Sequence, residues 1–342
     1  MADFAESFDC YVAAADMIAG YWDSGAGTPT FVAGRFSGSQ ALHVTATSTV
    51  LTKSNGANDA VHHLVVAFRQ TAAISGTTLG LYLQLLDGTT GQCCVVFRSD
   101  GAILLTSGTP AGTVLDTYTG AVPVTNTWYA FEIEVAINNT TGSWAVRKNG
   151  NTVNDRATGS LDTQVSANAY ANKLTVGMQA AVNSHEIDDL YWRSSSATGS
   201  FLSDIRCYTR MPASDAAAQF SRSTGASNFS CVDEPQQNAA TDYVYSSTPG
   251  HADLYGIAAI ASTPLVTHAV TTRAYAIKSD VGTRTMAVQL KSGGTMAASP
   301  TIVLTPSNWQ WAWRHDTTDP ATGAAWTAAA ANVAQVGPVV IA

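Results

Sequence analysis

Charge is scarce in this chain. Asp, Glu, Lys and Arg make up 12% of the 342 residues, about half the usual share for a soluble domain. Cations are the scarcer sign, with 17 Lys and Arg against 25 Asp and Glu, and the net charge is −8. No cluster of Lys and Arg is present, and a phosphate backbone needs one, so no nucleic-acid partner is expected. No apolar run approaches the roughly 20 residues of a membrane-spanning helix, so no membrane insertion is expected either. The opening residues Met1 to Asp9 carry acids where a secretory signal needs a basic start and an apolar stretch, and Asp16 breaks the apolar stretch that follows. The expectation is synthesis in a cytoplasm without a signal peptide. Cysteine is limited to Cys10, Cys93, Cys94, Cys207 and Cys231. The number is odd, the spacing irregular, and no Cys-x-x-Cys occurs, which argues against a zinc site or a disulfide framework and for buried free thiols.

Several catalytic signatures are also missing. There is no His-Glu-x-x-His, no glycine-rich phosphate loop and no Gly-x-Ser-x-Gly elbow; Gly225-Ala226-Ser227-Asn228-Phe229 lacks the final glycine. His62 and His63 are adjacent and alternate across a strand, so at most one faces any site.

What is present is a β pattern. Hydrophobic residues reach 46% and glycines number 27, enough for cores built from short strands and tight turns. In the first half, strands are expected at 62–69, 79–86, 93–98, 102–107, 128–137, 143–148, 174–178 and 187–192. Asp100-Gly101 and Asn149-Gly150 supply hairpin turns. Residues 193–200, Arg-Ser-Ser-Ser-Ala-Thr-Gly-Ser, read as a linker. Further strands are expected at 204–210, 242–246, 252–259, 266–278, 283–291, 301–304, 309–314 and 333–341. The Ala-rich stretch 324–336 is read as a loop leading into a strand, although propensity alone would allow a helix. The expected fold class is all-β: a sandwich over 1–192, a linker at 193–200, and a second, jelly-roll-like β-sandwich over 201–342.

Particular segments point to a family. Phe4-Ala5-Glu6-Ser7-Phe8-Asp9-Cys10-Tyr11 resembles an opening strand, and Gly34-Arg35-Phe36-Ser37-Gly38-Ser39-Gln40-Ala41-Leu42 the strand after it. Residues 128–146 resemble a strand pair, and Ile187-Asp188-Asp189-Leu190-Tyr191-Trp192 a last strand returning beside the first. In these the first half resembles the concanavalin A-like lectin/glucanase superfamily, in its laminin-G-like variety. The whole chain is similar to structural proteins of tailed bacteriophages that carry such a domain first. The resemblance implies a virion component, a fibre, decoration or tail-associated protein, at the virion surface. It also implies a homo-oligomer, with a trimer favoured, that contacts other virion proteins.

Because the superfamily includes glucanases, an acid pair is the first chemistry to seek. A retaining glycosidase needs two carboxyls about 5 Å apart. Glu132-Ile133-Glu134 comes nearest, but same-face neighbours on a strand sit about 7 Å apart. The third acid of the glucanase pattern is replaced by Val135, Ala136 and Ile137. Both glutamates are read as a solvated strand face, and the chain as no enzyme. Asp188 and Asp189 are candidates for a metal, with Glu186, Asn183 and Ser184 nearby. Ca2+ would be the ion. Adjacent strand residues point to opposite faces, so no cofactor is expected and a structural end strand is the ordinary reading. Trp309, Trp311 and Trp313 alternate along one strand face, with Trp326 following. Three readings stand for these rings: core, subunit interface, or glycan stacking. The function expected is a non-enzymatic structural part of a virion. The alternative is a glycan-binding adhesin that engages a host surface glycan, and a third reading is a polysaccharide hydrolase.

Overall fold

The computed structural model describes residues 2–44, 47, 49–72, 76–122, 124–180, 185–195, 197–238, 241–260, 264 and 266–342. The chain divides into two compact units. The first holds Met1–Asp9 and Trp22–Cys207; the second holds Cys10–Tyr21 and Tyr208–Ala342. The second unit therefore takes a short piece from the start of the chain. The expected linker does not mark the change of unit: residues 193–195 continue a strand, and the division falls after Cys207.

Among its described residues the first unit contains fifteen strands: β1 (Ala2–Glu6), β2 (Ser24–Ala26), β3 (Thr30–Ala33), β4 (Gln40–His43), β5 (Val50–Asp59), β6 (Val61–Gln70), β7 (Leu79–Asp87), β8 (Thr90–Arg98), β9 (Ile103–Ser107), β10 (Val114–Tyr118), β11 (Trp128–Ala136), β12 (Gly142–Lys148), β13 (Arg156–Leu161), β14 (Ala171–Met178) and β15 (His185–Ser195). They form two antiparallel sheets. One runs β13-β12-β11-β6-β15-β4-β3, with β1 also on β15; the other runs β10-β9-β8-β7-β14-β5-β2. The return of the last strand beside the first is real: Phe4 lies opposite Trp192. Phe68 of one sheet stacks on Phe97 of the other at 4.3 Å, with Phe131 within 5.9 Å of Phe97. The two sheets thus face each other across a shared core, where each buried large side chain contributes about 1.5–3 kcal/mol. Strand β1 ends at Glu6, short of Tyr11, because Phe8 takes a left-handed conformation (φ 61°).

The second unit contains helix α1 (Ala14–Met17) and strands β16 (Pro212–Ala217), β17 (Ser221–Arg222), β18 (Val244–Tyr245), β19 (Leu254–Ile257), β20 (Val270–Ala276), β21 (Arg284–Ser292), β22 (Thr295–Ala298), β23 (Ile302–Leu304), β24 (Gln310–Asp316) and β25 (Gln335–Val340). Helix α2 (Ala328–Val333) lies between the last two strands. A sheet in the order β16-β19-β25-β21-β22, with β23 on β21, carries the β20–β24 ladder as its second layer. Met286, Val288 and Leu304 from the sheet pack with Ala312, Ala274 and Ala276 from the ladder. Two local expectations are corrected. Residues 204–210 form no strand. The Ala-rich stretch does contain a helix, because Thr327 caps it by accepting the Ala330 amide (3.1 Å) and Ala331 is buried against Leu290 and Trp326. Among the described residues no helix is long and apolar enough to cross a membrane.

Candidate functional site

The sequence reads Glu132 and Glu134 as a solvated strand face, and the structure buries both. Strand β11 alternates as its pattern implies: Phe131, Ile133 and Val135 are wholly buried in the core, and Glu132 and Glu134 point the other way. Yet Glu132 is 3% exposed and Glu134 6%. The correction has a plain cause, because residues 199–207 of the same unit cross this face as a strap. Glu134 accepts hydrogen bonds from His63 Nε2 at 2.7 Å and from the Gly199 amide. Glu132 accepts the amides of Leu202 and of Ser203, the latter at 2.9 Å. Phe201 stands edge-on to His63 with ring centroids 5.9 Å apart, and the Arg147 guanidinium lies 3.7 Å over its ring. Burial raises the Glu132 pKa, and the two amides, with His63 and Arg147, oppose that rise.

The strap is fixed at its far end by the acids from β15. An extra residue bulges β15 against β6 between Asp188 and Tyr191, and Asp189 sits in the left-handed region (φ 51°). The bulge breaks strict alternation. Asp188 Oδ2 accepts the Arg35 amide (2.8 Å) and the Ser39 hydroxyl (3.3 Å). Asp189 Oδ1 accepts the Cys207 amide (2.7 Å), and its Oδ2 lies 3.6 Å from Arg35 Nη1. Arg35 also grips Asp204 of the strap with two bonds of 2.6 Å. Gly34 is required here, since a Cβ would stand 2.3 Å from Ser39 Oγ and 2.6 Å from Asp188 Oδ2. Burial raises both aspartates, and the Asp188 charge raises Asp189 further. These two carboxyls therefore clamp loops by backbone amides. Glu186, the third nearby acid, is engaged by Arg69 Nε at 2.5 Å. Among the described residues no three His, Cys, Asp or Glu side chains gather as a metal site requires. Asn183 and Ser184 lie outside the described residues.

His62 and His63 do face opposite ways. His62 accepts the Trp192 indole N–H at 3.1 Å, and burial pushes its pKa down to about 4. The five cysteines are free thiols; Cys93, Cys94 and Cys231 are buried and Cys10 and Cys207 half-buried.

The outer face of the other sheet is closed in a different way. Phe97 points to the core, so Val96 and Cys94 of β8 point outward, with Tyr82 of β7 and Leu104 of β9 beside them. All four are 9% exposed or less. Tyr82 lies over Gly177, where a Cβ would meet its ring at 2.5 Å. Two polar pairs of this face are engaged: Gln84 Nε2 donates to the Gly108 carbonyl (2.5 Å), and Thr52 bonds Thr175 (3.2 Å).

The four tryptophans do not form one outward platform. Trp311 and Trp326 are 6% and 4% exposed, and Trp309 and Trp313 are half-buried. The ridge is covered by the piece that the second unit takes from the start of the chain. Trp311 packs edge-on to Tyr11 at 6.0 Å, and its indole donates to the Asp16 carbonyl at 2.7 Å. Trp313 meets Tyr21 edge-on at 5.3 Å and donates to the Gly20 carbonyl at 3.0 Å. Trp309 stacks on Tyr275 at 5.2 Å. Trp326 donates to the Asp316 carbonyl at 2.9 Å. Trp311 and Trp326 are thus packing residues of their own unit. The sequence signal for the covering piece, aromatics at Tyr11 and Tyr21 around a short apolar stretch, was visible but pointed to no partner.

No protein-family model matches the chain, and no curated protein matches it. Solved structures are similar in part. Domain 4 of AbnA, an extracellular arabinanase from Geobacillus stearothermophilus, covers 58% of this chain and 93% of its own, at 15% identity and a TM-score of 0.37. A carbohydrate esterase from the Shiga toxin-encoding bacteriophage phi24B covers 51% and 89%, at 18% identity and 0.36. The carbohydrate recognition domain of Emp46p covers 49% and 86%, at 10% identity and 0.34.

Proposed function

We propose that this chain is a non-enzymatic structural component of a bacteriophage virion, a fibre, decoration or tail-associated protein, displaying a lectin-like sandwich at the particle surface. One observation carries the non-enzymatic part. The acid pair that a glucanase reading would need, Glu132 and Glu134, is buried and bound to the amides of Gly199, Leu202 and Ser203. A general acid or nucleophile must reach its substrate within hydrogen-bonding distance, and these carboxylates are spent on holding the strap. The virion part is supported by the sequence resemblance set out above and by a sparsely charged surface suited to stable assembly. In this reading the protein works by burying surface against itself and other virion proteins, as a homo-oligomer with a trimer favoured.

The test is to raise antibodies against the purified chain and label intact phage particles by immunogold. Label at a fixed position on the particle is expected. Label confined to unassembled material would refute the virion role. Release of reducing sugar from capsular or cell-wall polymers, abolished by Glu132→Gln, would refute the non-enzymatic role.

A further inference from the structure

One exposed surface of the second unit combines open space, free hydroxyls and aromatic rings. β17 pairs antiparallel with β18, with Ser221 opposite Tyr245 and Arg222 opposite Val244. The pairing extends by one more step. The Ser223 amide donates to the Tyr243 carbonyl, and the Tyr243 amide donates to the Ser223 hydroxyl, both at 2.9 Å. Alternation then places Tyr243 and Tyr245 on one face of β18. Their ring centroids are 6.0 Å apart and their planes meet at 56°. They are 44% and 53% exposed, in contrast to Tyr82, which is 9% exposed on its closed sheet face.

An open groove of about 540 Å³ lies beside Tyr245, lined by residues 220–225 and that ring, with Tyr243 next to Tyr245 rather than in the lining. That volume falls within the range of small-ligand sites, about 300–1,000 Å³. The lining is largely polar. The hydroxyls of Ser221, Thr224 and Tyr245 have no hydrogen-bond partner among the described residues. Arg222 uses its Nε on the Gly225 carbonyl (3.0 Å), which fixes the side chain and leaves its terminal amino groups free. Gly225 turns the chain at φ +74°.

We propose that this groove binds an oligosaccharide. The exposed faces of Tyr243 and Tyr245 supply flat apolar surface for the C–H faces of sugar rings, and their phenol groups supply a polar edge. The Ser221 hydroxyl, on the same face of the ladder as Tyr245, and the Tyr245 phenol supply donors and acceptors for sugar hydroxyls. The same lining disfavours the other common ligands. A nucleic acid would need several cations, and among the described residues Arg222 is the only one lining the groove. An apolar peptide anchor would need a greasy pocket, and the lining here is hydroxyl, guanidinium and backbone, with apolar surface only at Phe220 and the tyrosine ring. The proposal stands apart from the virion role, which the immunogold experiment reads independently.

The test uses isothermal titration of the full chain with arabino-, xylo-, manno- and gluco-oligosaccharides of two to six units, compared with the double variant Tyr243→Ala/Tyr245→Ala. Both side chains are exposed, so the variant is expected to keep the circular dichroism spectrum and melting temperature of the parent. At least one probe should bind the parent, and the double variant should weaken it tenfold or more. Tyr245→Phe, which keeps the ring and loses the phenol group, should weaken it by less. Three results would overturn the proposal: no probe binds the parent, binding survives the double variant unchanged, or the double variant dissociates an oligomer in sedimentation velocity without altering sugar binding. The last result would mark the tyrosines as a protein interface.

Discussion

Replacing Glu132 tests the strap most directly. As a solvated strand residue it would cost roughly 0.5 kcal/mol or less to change. The structure gives a larger figure. Glu132→Ala removes the acceptor for the Leu202 and Ser203 amides, and Leu202 is only 8% exposed. Each orphaned buried donor costs about 1–3 kcal/mol. Ser203 is exposed, so water can reach its amide, and removing a desolvated carboxylate recovers part of the loss. The net expectation is about 1–3 kcal/mol for the first unit. Glu132→Gln keeps one oxygen but turns an NH2 group toward an N–H, so about 1–3 kcal/mol is expected. Urea unfolding followed by tryptophan fluorescence reads both, with hydrogen exchange at 199–207 reporting release of the strap. If both variants stay within about 0.5 kcal/mol of the parent and the strap amides keep their protection, the strap does not depend on Glu132 and the reasoning fails.

Burial raises the pKa of Asp188 and Asp189, so the folded chain holds more protons than the unfolded one between the ordinary carboxylate range and about 8, the upper value for Asp189. The linkage sign then makes stability fall as pH rises through that window. Melting temperatures from pH 4 to 8 should show the decline, and Asp189→Asn, which tolerates a positive φ, should flatten it; an unchanged slope would count against the pair. Gly34→Ala forces a methyl into Ser39 Oγ and Asp188 Oδ2, and a loss of about 1–3 kcal/mol by urea titration is expected. Trp311→Ala empties a buried site against Tyr11, which should cost about 3–5 kcal/mol in the second unit, and a smaller loss would mean that the ridge is not core. Thr327→Ala removes the cap of α2, for about 1 kcal/mol by the same titration.

Much of the first unit is legible in one dimension. The alternating run at 128–137 and the apolar run at 62–69 became neighbouring strands, with Glu134 opposite His63, because a period of two with turn residues at both ends admits little else. The ten-residue strand Val50–Asp59 escaped, since Lys53, Ser54, Asn55, Asn58 and Asp59 give it a polar reading. Its Lys53 is nonetheless only 3% exposed beside Asp23. In the second unit, with short strands and few runs, several strand boundaries shrank to the residues that pair.

The sequence by itself determined the class of this protein: that it is built of strands, where the long alternating and apolar ones run, and that no familiar catalytic motif is spelled out. Those are local properties, set by alternation and turn chemistry within about ten residues. Tertiary structure alone decided what happens to the polar faces. Whether Glu132 meets water or the amides of Leu202 and Ser203 depends on a segment 70 residues away. Whether Trp311 is a platform or a core residue depends on Asp16, 295 residues away. A carboxylate on an alternating strand carries the same pattern in both cases. Only the path of the chain over that face sets its desolvation, its partners and its availability to a ligand.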